Sequence, residues 1–183
     1  DPVFKAIQKF KEIGLEAHYG HWLVSGRPKV VLMDLNSIRP KLGEIKYYLW
    51  EQHGISSPDN DFLLNDVIAF GEMVRLFIAI LSNKEVHDKH VIAHFHEWMA
   101  ASGLPALKKD QVHCTTVFTT HATMLGRYLA MNDPQFYDHL PFLDWQKEAK
   151  HFNIESSVSI ERAAAHGAHV FTTVSDVTAE ECR

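Results

Sequence analysis

Two short stretches of this 183-residue chain gather side chains that can bind a ligand or move charge. The first is Ala93-His94-Phe95-His96-Glu97-Trp98. The second is Thr119-Thr120-His121-Ala122-Thr123, followed by Gly126-Arg127-Tyr128. Glu97 falls where a strand gives way to a helix. A carboxylate there meets backbone N–H groups and the positive helix end as a cap, or accepts the hydroxyls of a ligand such as a sugar. His121 ends the second run directly before a helix, where packing, capping and catalytic roles all fit the residue type. Arg127 follows six residues on, and its guanidinium suits bidentate hydrogen bonding to a phosphate or sugar as well as a surface ion pair.

His94 and His96 are two apart, so on a continuing strand they share a face. Together with Glu97 and His121 they suggest a metal cluster. The helical His-Glu-x-x-His spacing is absent, however, and no nearby cysteine or further carboxylate completes a standard set. With 13 histidines in the chain, clustering by chance is expected, and a metal site is disfavoured. Trp22, Trp50, Trp98 and Trp145 have faces that can stack on sugar rings, but core packing is the default expectation for all four. Asn60, Asp61, Asn65 and Asp66 form a polar cluster at a helix start; capping accounts for the first two only.

The elements that must position these residues follow from periodicity. Residues 2–13 read as a helix closed by Gly14, and residues 17–24 and 29–34 as strands joined through Ser25-Gly26-Arg27-Pro28. A helix over 40–53 stops at Gly54. Another runs to residue 81 behind Asp59-Asn60-Asp61. Its apolar positions Leu63, Leu64, Val67, Phe70, Val74, Phe77, Ile78 and Leu81 keep the helical period and leave Asn65, Glu72 and Arg75 on other faces. A short buried strand begins at Val91, and 97–109 is helical with an interruption at Gly103-Leu104-Pro105. Strand 115–120 precedes helix 122–131. Residues 132–153 read as an ordered loop with partial helix. Helix 154–166 with Gly167 as its cap leads to strand 170–174, whose end Thr172-Thr173-Val174-Ser175 is merely polar, and a further helix starts near Asp176.

Short buried strands alternating with helices from residue 90 onward predict a parallel α/β sheet. The N-terminal hairpin is then an antiparallel edge or an excursion from it. In such a sheet ligands gather at the carboxyl ends of the strands, where both stretches lie. The composition, 46% apolar with net charge −5, provides a core and lacks the basic bias of a nucleic-acid binder. The most apolar stretch, 62–81, contains Asp66, Glu72 and Arg75, so no membrane span is expected. Cys114 and Cys182 give neither metal spacing nor a disulfide framework, which suits a reducing cytoplasm. The chain opens on Asp1-Pro2-Val3 in mid-pattern and ends in the first turns of a helix, so it reads as a piece of something longer. Residue types and pattern lead as far as a cytosolic α/β domain with a polar ligand site after two strands.

Longer strings carry a resemblance. The two stretches above, extended through Met124-Leu125-Gly126-Arg127-Tyr128-Leu129, are joined by Ile160-Glu161-Arg162-Ala163-Ala164-Ala165-His166 and Val170-Phe171-Thr172-Thr173-Val174-Ser175. Tyr19-Gly20-His21-Trp22-Leu23-Val24 and Ser57-Pro58-Asp59-Asn60-Asp61-Phe62 precede them in order. The whole resembles the glycogen synthases of the animal and fungal type. The resemblance implies a GT-B glycosyltransferase of two Rossmann-like domains facing across a cleft, with residues 1–183 as an incomplete N-terminal domain. It further implies transfer of glucose from UDP-glucose to the non-reducing end of an α-1,4-glucan with retention, without a divalent metal or other cofactor. His121 and Glu97 would lie at the transferred glucose as catalytic and substrate-binding residues, and Arg127 would bind the sugar or diphosphate. The full-length protein would be a cytoplasmic homo-oligomer. The family's glycine-containing loop, the second domain and the glucose 6-phosphate response have no counterpart in these residues, so the chain alone is expected to be inactive. Two other readings stand beside this one: a metal-dependent hydrolase using His94, His96 and His121, and a non-catalytic glucan-binding module.

Overall fold

The computed structural model describes residues 1–182. Helix α1 (Pro2–Glu12) is capped by the Asp1 carboxylate on the Val3 amide, and Gly14, at φ +82°, turns the chain into β1 (Glu16–His21). β1 pairs antiparallel with β2 (Lys29–Asp34) as a separate two-stranded sheet, so the hairpin is an excursion rather than an edge of the main sheet. The strand expected to reach residue 24 ends at His21, because Trp22 donates its amide to Pro28 and closes the turn. Ala6, Ile7 and Phe10 of α1 pack with Ala17 against Ala69, Met73 and Phe77, which lie on α3 (Phe62–Leu81).

Between them, α2 (Leu42–His53) ends on Gly54 in the left-handed conformation, as its sequence predicts. Asp61 caps α3 by accepting from the Leu64 amide. Three positions on α3 depart from the expected faces. Asn65 is buried, because its side-chain amide donates to the Asp59 carbonyl and so fastens the preceding loop. Leu63 and Phe70 are exposed instead. Arg75 and Glu72 do lie off the core face, in a two-bond ion pair, and Arg75 also reaches Asp110.

The main sheet has the order β3 (Val91–His96), β4 (Cys114–Thr120), β5 (Val170–Thr173), all parallel. Between β3 and β4 the helical segment is split into α4 (Glu97–Ala100) and α5 (Leu104–Lys109). The chain then runs through α6 (Met124–Asn132), α7 (Phe136–His139), α8 (Trp145–His151), α9 (Glu155–Gly167), β5 and α10 (Asp176–Glu181). Gly167 is the last residue of α9 rather than its cap. A Cβ there would stand 2.9 Å from the Leu104 side chain, so the glycine admits close packing of α5. At a second close approach, α3 crosses the α4–α5 turn at Gly71 and Gly103, where Ser102 Oγ donates to the Val67 carbonyl at 2.8 Å.

The two faces of the main sheet differ. Ala93, Phe95, Cys114 and Phe118 point into a core completed by Ile78, Leu104, Leu107 and Ala164 from α3, α5 and α9. The alternate set faces away. Ile92 is 67% exposed, and His94 and His96 are exposed beside it. Parallel sheets ordinarily bury both faces. Among the described residues no helix is long and apolar enough to cross a membrane.

Candidate functional site

The site is assembled by the register of β3 on β4. His96 pairs with Thr119, so the residues just past each strand end, Glu97 and His121, meet above the same edge of the sheet. Trp98, in the core formed with Leu49, Leu64, Ile68 and Ile160, anchors the chain directly after Glu97. Entering that anchor from an extended strand requires a sharp reversal, and Glu97 makes it at φ +64°, a conformation costly for a residue with a Cβ.

In this posture the Glu97 carboxylate does not cap its own helix. Its Oε1 accepts the His121 backbone N–H at 3.0 Å and an Arg127 guanidinium N–H at 3.2 Å. Oε2 accepts no hydrogen bond among the described residues. Arg127 also donates its Nε–H to the Ala122 carbonyl at 3.3 Å, so the guanidinium is stretched across the β4–α6 connection. The three residues singled out in the sequence therefore form one cluster. Thr123 caps α6 on the Gly126 amide, which aims the positive end of that helix at the same place.

Beside the cluster runs a row of imidazoles. The His94 and His96 rings lie 4.2 Å apart, and His96 Nδ1 is 3.4 Å from His121 Nε2. His94 Nε2 meets Thr119 Oγ1 at 2.7 Å, and Thr119 meets Thr172 Oγ1 at 2.6 Å, so the third strand end joins a polar row across all three strands. Despite this proximity, no group of three or more histidine, cysteine, aspartate or glutamate side chains among the described residues is placed to hold a metal ion. An open depression of about 500 Å³ adjoins the cluster, lined by Met33, Leu35, Phe70 and Met99 with His96 and Glu97.

The tryptophans do not share one fate. Trp98 is core, and Trp145 stacks under Arg162 with the guanidinium 4.1 Å from its ring centre. Trp22 and Trp50 are exposed, contrary to the expectation of core packing, because the hairpin tip and the outer face of α2 present them to solvent.

One residue of the arrangement had no chemical role in the sequence reading. Glu161, on α9, is only 7% exposed. It accepts the Met124 amide at 2.8 Å through Oε2 and the Thr120 hydroxyl at 3.2 Å through Oε1. Burial pushes its carboxyl above the ordinary range; the Met124 N–H and Thr120 hydroxyl oppose that, Glu97 adds to it, and Arg127 opposes it. The signal was its spacing. Ile154, Val158 and Glu161 fall at i, i+4 and i+7, placing an acid on the buried stripe of α9.

These features define a partial Rossmann-like α/β domain with a polar site at the carboxyl ends of two neighbouring parallel strands. The chain belongs to the glycogen synthase family, whose model matches residues 1–183. It is 46% identical over 181 residues to glycogen [starch] synthase isoform 2 of Saccharomyces cerevisiae, covering 98% of this chain and 26% of that protein. Similarity extends to glycogen [starch] synthase of Neurospora crassa, 46% identical over 184 residues, with 99% of this chain and 26% of the relative covered. The liver glycogen [starch] synthase of Mus musculus is 43% identical over 185 residues, again covering 99% of this chain and 26% of the relative. The chain thus spans about a quarter of the length of the curated relatives it matches.

Proposed function

We propose that these residues form one wall of the glucosyl-transfer cleft of a glycogen synthase, which moves glucose from UDP-glucose to the non-reducing end of an α-1,4-glucan. The single observation that carries the reading is the meeting of Glu97, His121 and Arg127 above adjacent strand ends, in a chain of this family. Glu97 offers its second carboxylate oxygen to a sugar hydroxyl while the first holds the His121 backbone. His121 faces the glucose. Arg127 and the N-terminal end of α6 place positive potential where a diphosphate leaves, an electrostatic contribution to the transition state. The apolar depression at Phe70 and Met99 gives a sugar ring a surface for its less polar face.

In this reading the opposite wall, with most nucleotide contacts, belongs to the remainder of the full-length enzyme, so residues 1–183 alone do not elongate glucan. The intact protein is a cytoplasmic homo-oligomer that uses no metal or other cofactor. The test is turnover in the intact enzyme. His121→Ala and Glu97→Ala lower kcat strongly while the fold is retained, and Arg127→Ala weakens nucleotide-sugar use more than glucan binding. Full activity in both His121→Ala and Glu97→Ala would remove the site assignment, and glucan elongation by the purified 183-residue chain would refute the one-wall reading.

A further inference from the structure

The β4–α6 connection carries His121 between two fastened ends. At one end the Thr120 hydroxyl donates to Glu161 Oε1, and at the other the Met124 amide donates to Glu161 Oε2. Both oxygens of one carboxylate therefore hold backbone or side-chain donors four residues apart in sequence. They come from α9, an element distant in the chain. From the other side Glu97 takes the amide of His121 itself, and Arg127 takes the carbonyl of Ala122. Glu161 is fixed in turn, since Ile160 and Ala164 on either side are fully buried. A carboxyl group in such a place is costly to bury, and an apolar residue of similar size would instead strand the Met124 N–H and the Thr120 hydroxyl. A burial of this kind is explained when the carboxylate does something its replacement would not.

We propose that Glu161 is a positioning residue for the transfer reaction, clamping the 120–124 connection so that His121 is held at the glucose site; this rests on the reading of His121 given above. In this role the acid acts without touching substrate. Its effect passes through the backbone of residues 121–123. What the clamp requires is two hydrogen-bonding groups at a fixed spacing, not a charge. Glutamine meets that requirement, with its carbonyl accepting the Met124 N–H and its amide donating to Thr120 Oγ1. Alanine does not.

The experiment uses the full-length enzyme and four variants: Glu161→Ala, Glu161→Gln, His121→Ala and the Glu161→Ala/His121→Ala pair. Displacing a reacting group by about an ångström costs on the order of a hundredfold in rate, so Glu161→Ala is expected to lose about ten- to a hundredfold in kcat with little change in the KM for glucan. Glu161→Gln is expected to keep kcat within about threefold of wild type, the scale of a single neutral hydrogen bond. In the pair, the alanine at 161 adds no further loss to that of His121→Ala, because both changes act on one group. Amide hydrogen exchange of the peptide covering residues 121–126 rises in Glu161→Ala and stays at wild-type level in Glu161→Gln, which also covers the case in which the alanine variant folds poorly. Wild-type kcat in Glu161→Ala, with His121→Ala inactive, would overturn the positioning role and leave the site intact. A further loss in the pair equal to that of Glu161→Ala alone would reduce Glu161 to general stability. Full activity in His121→Ala would instead remove the role of His121, and the positioning role of Glu161 with it.

Discussion

At Glu97 the backbone and the side chain ask for different residues, and comparing two substitutions separates them. Glu97→Ala and Glu97→Gly both delete the carboxylate, so both lose the hydrogen bond from the His121 amide and the contact with Arg127. The ion pair is worth about 0–1 kcal/mol, since the Arg127 side chain is 51% exposed. The two variants differ only in how they tolerate φ +64°. A Cβ in the left-handed region costs roughly 1–2 kcal/mol, which glycine escapes. Glycine gives back about 0.4–1 kcal/mol through the greater freedom of its unfolded chain. Glycine is therefore expected to be the more stable of the two by about 1 kcal/mol, the reverse of the order in a helix interior. For a domain of this size that is about 2–4 °C in Tm, and it is read more directly as a shift in urea midpoint at constant m. Both variants should be equally poor in turnover, because the carboxylate is gone from each. An alanine variant as stable as the glycine variant, or more so, would show that Trp98 does not impose the left-handed turn on Glu97.

Other consequences can be measured in the same way. Gly103→Ala puts a Cβ against the backbone of Gly71, 2.8 Å from its carbonyl carbon, where nothing can swing aside. A loss of about 3 kcal/mol, or roughly 6–12 °C in Tm, is expected, and a neutral result would mean that α3 is free to shift. Glu161 gives stability a defined pH dependence. Its folded pKa lies above the ordinary 4.5, so between the two values the folded chain keeps a proton that the unfolded chain has released. Its contribution is complete below the unfolded pKa and is lost as pH rises through the folded one. Glu161→Gln abolishes that loss, so Tm–pH curves for wild type and variant converge in acid and separate towards neutrality, with the variant higher. A wild type that gains on the variant as pH rises would contradict the sign.

Much of the scaffold was legible because its signals are local. Gly14 and Gly54 end helices, Asp61 opens one, and the short runs at β3, β4 and β5 read as strands because β-branched residues bounded by polar turns have few other outcomes. The meeting of Glu97 with His121 was legible only as adjacency to strand ends, since register and strand order depend on contacts across the fold. Glu97 could not be read as left-handed, because nothing in its own type permits that; the demand comes from Trp98 in the core. The 132–153 segment was expected to be partly helical, and it contains α7 and α8, whose short lengths leave little periodicity to detect. Asn65 and Glu161 show a shared difficulty. Polar residues on buried helix faces look misplaced until their distant hydrogen-bond partners are known.

The parallel register of β3 on β4 also divides the chain into places where length matters and places where it does not. Glu97 and His121 are each fixed by counting residues along a strand, at about 3.3 Å per step and with faces alternating. One residue inserted within β3 or β4 would advance its end by that step and exchange the inward set Ala93 and Phe95, or Cys114 and Phe118, for the outward one. The exposed turn at residues 110–111 between α5 and β4 sets no strand register, and extra residues after Asp110, which stays bonded to Arg75, would leave the distance between the two strand ends untouched. For anyone recombining or lengthening this domain, the strands act as the ruler and that turn as the slack.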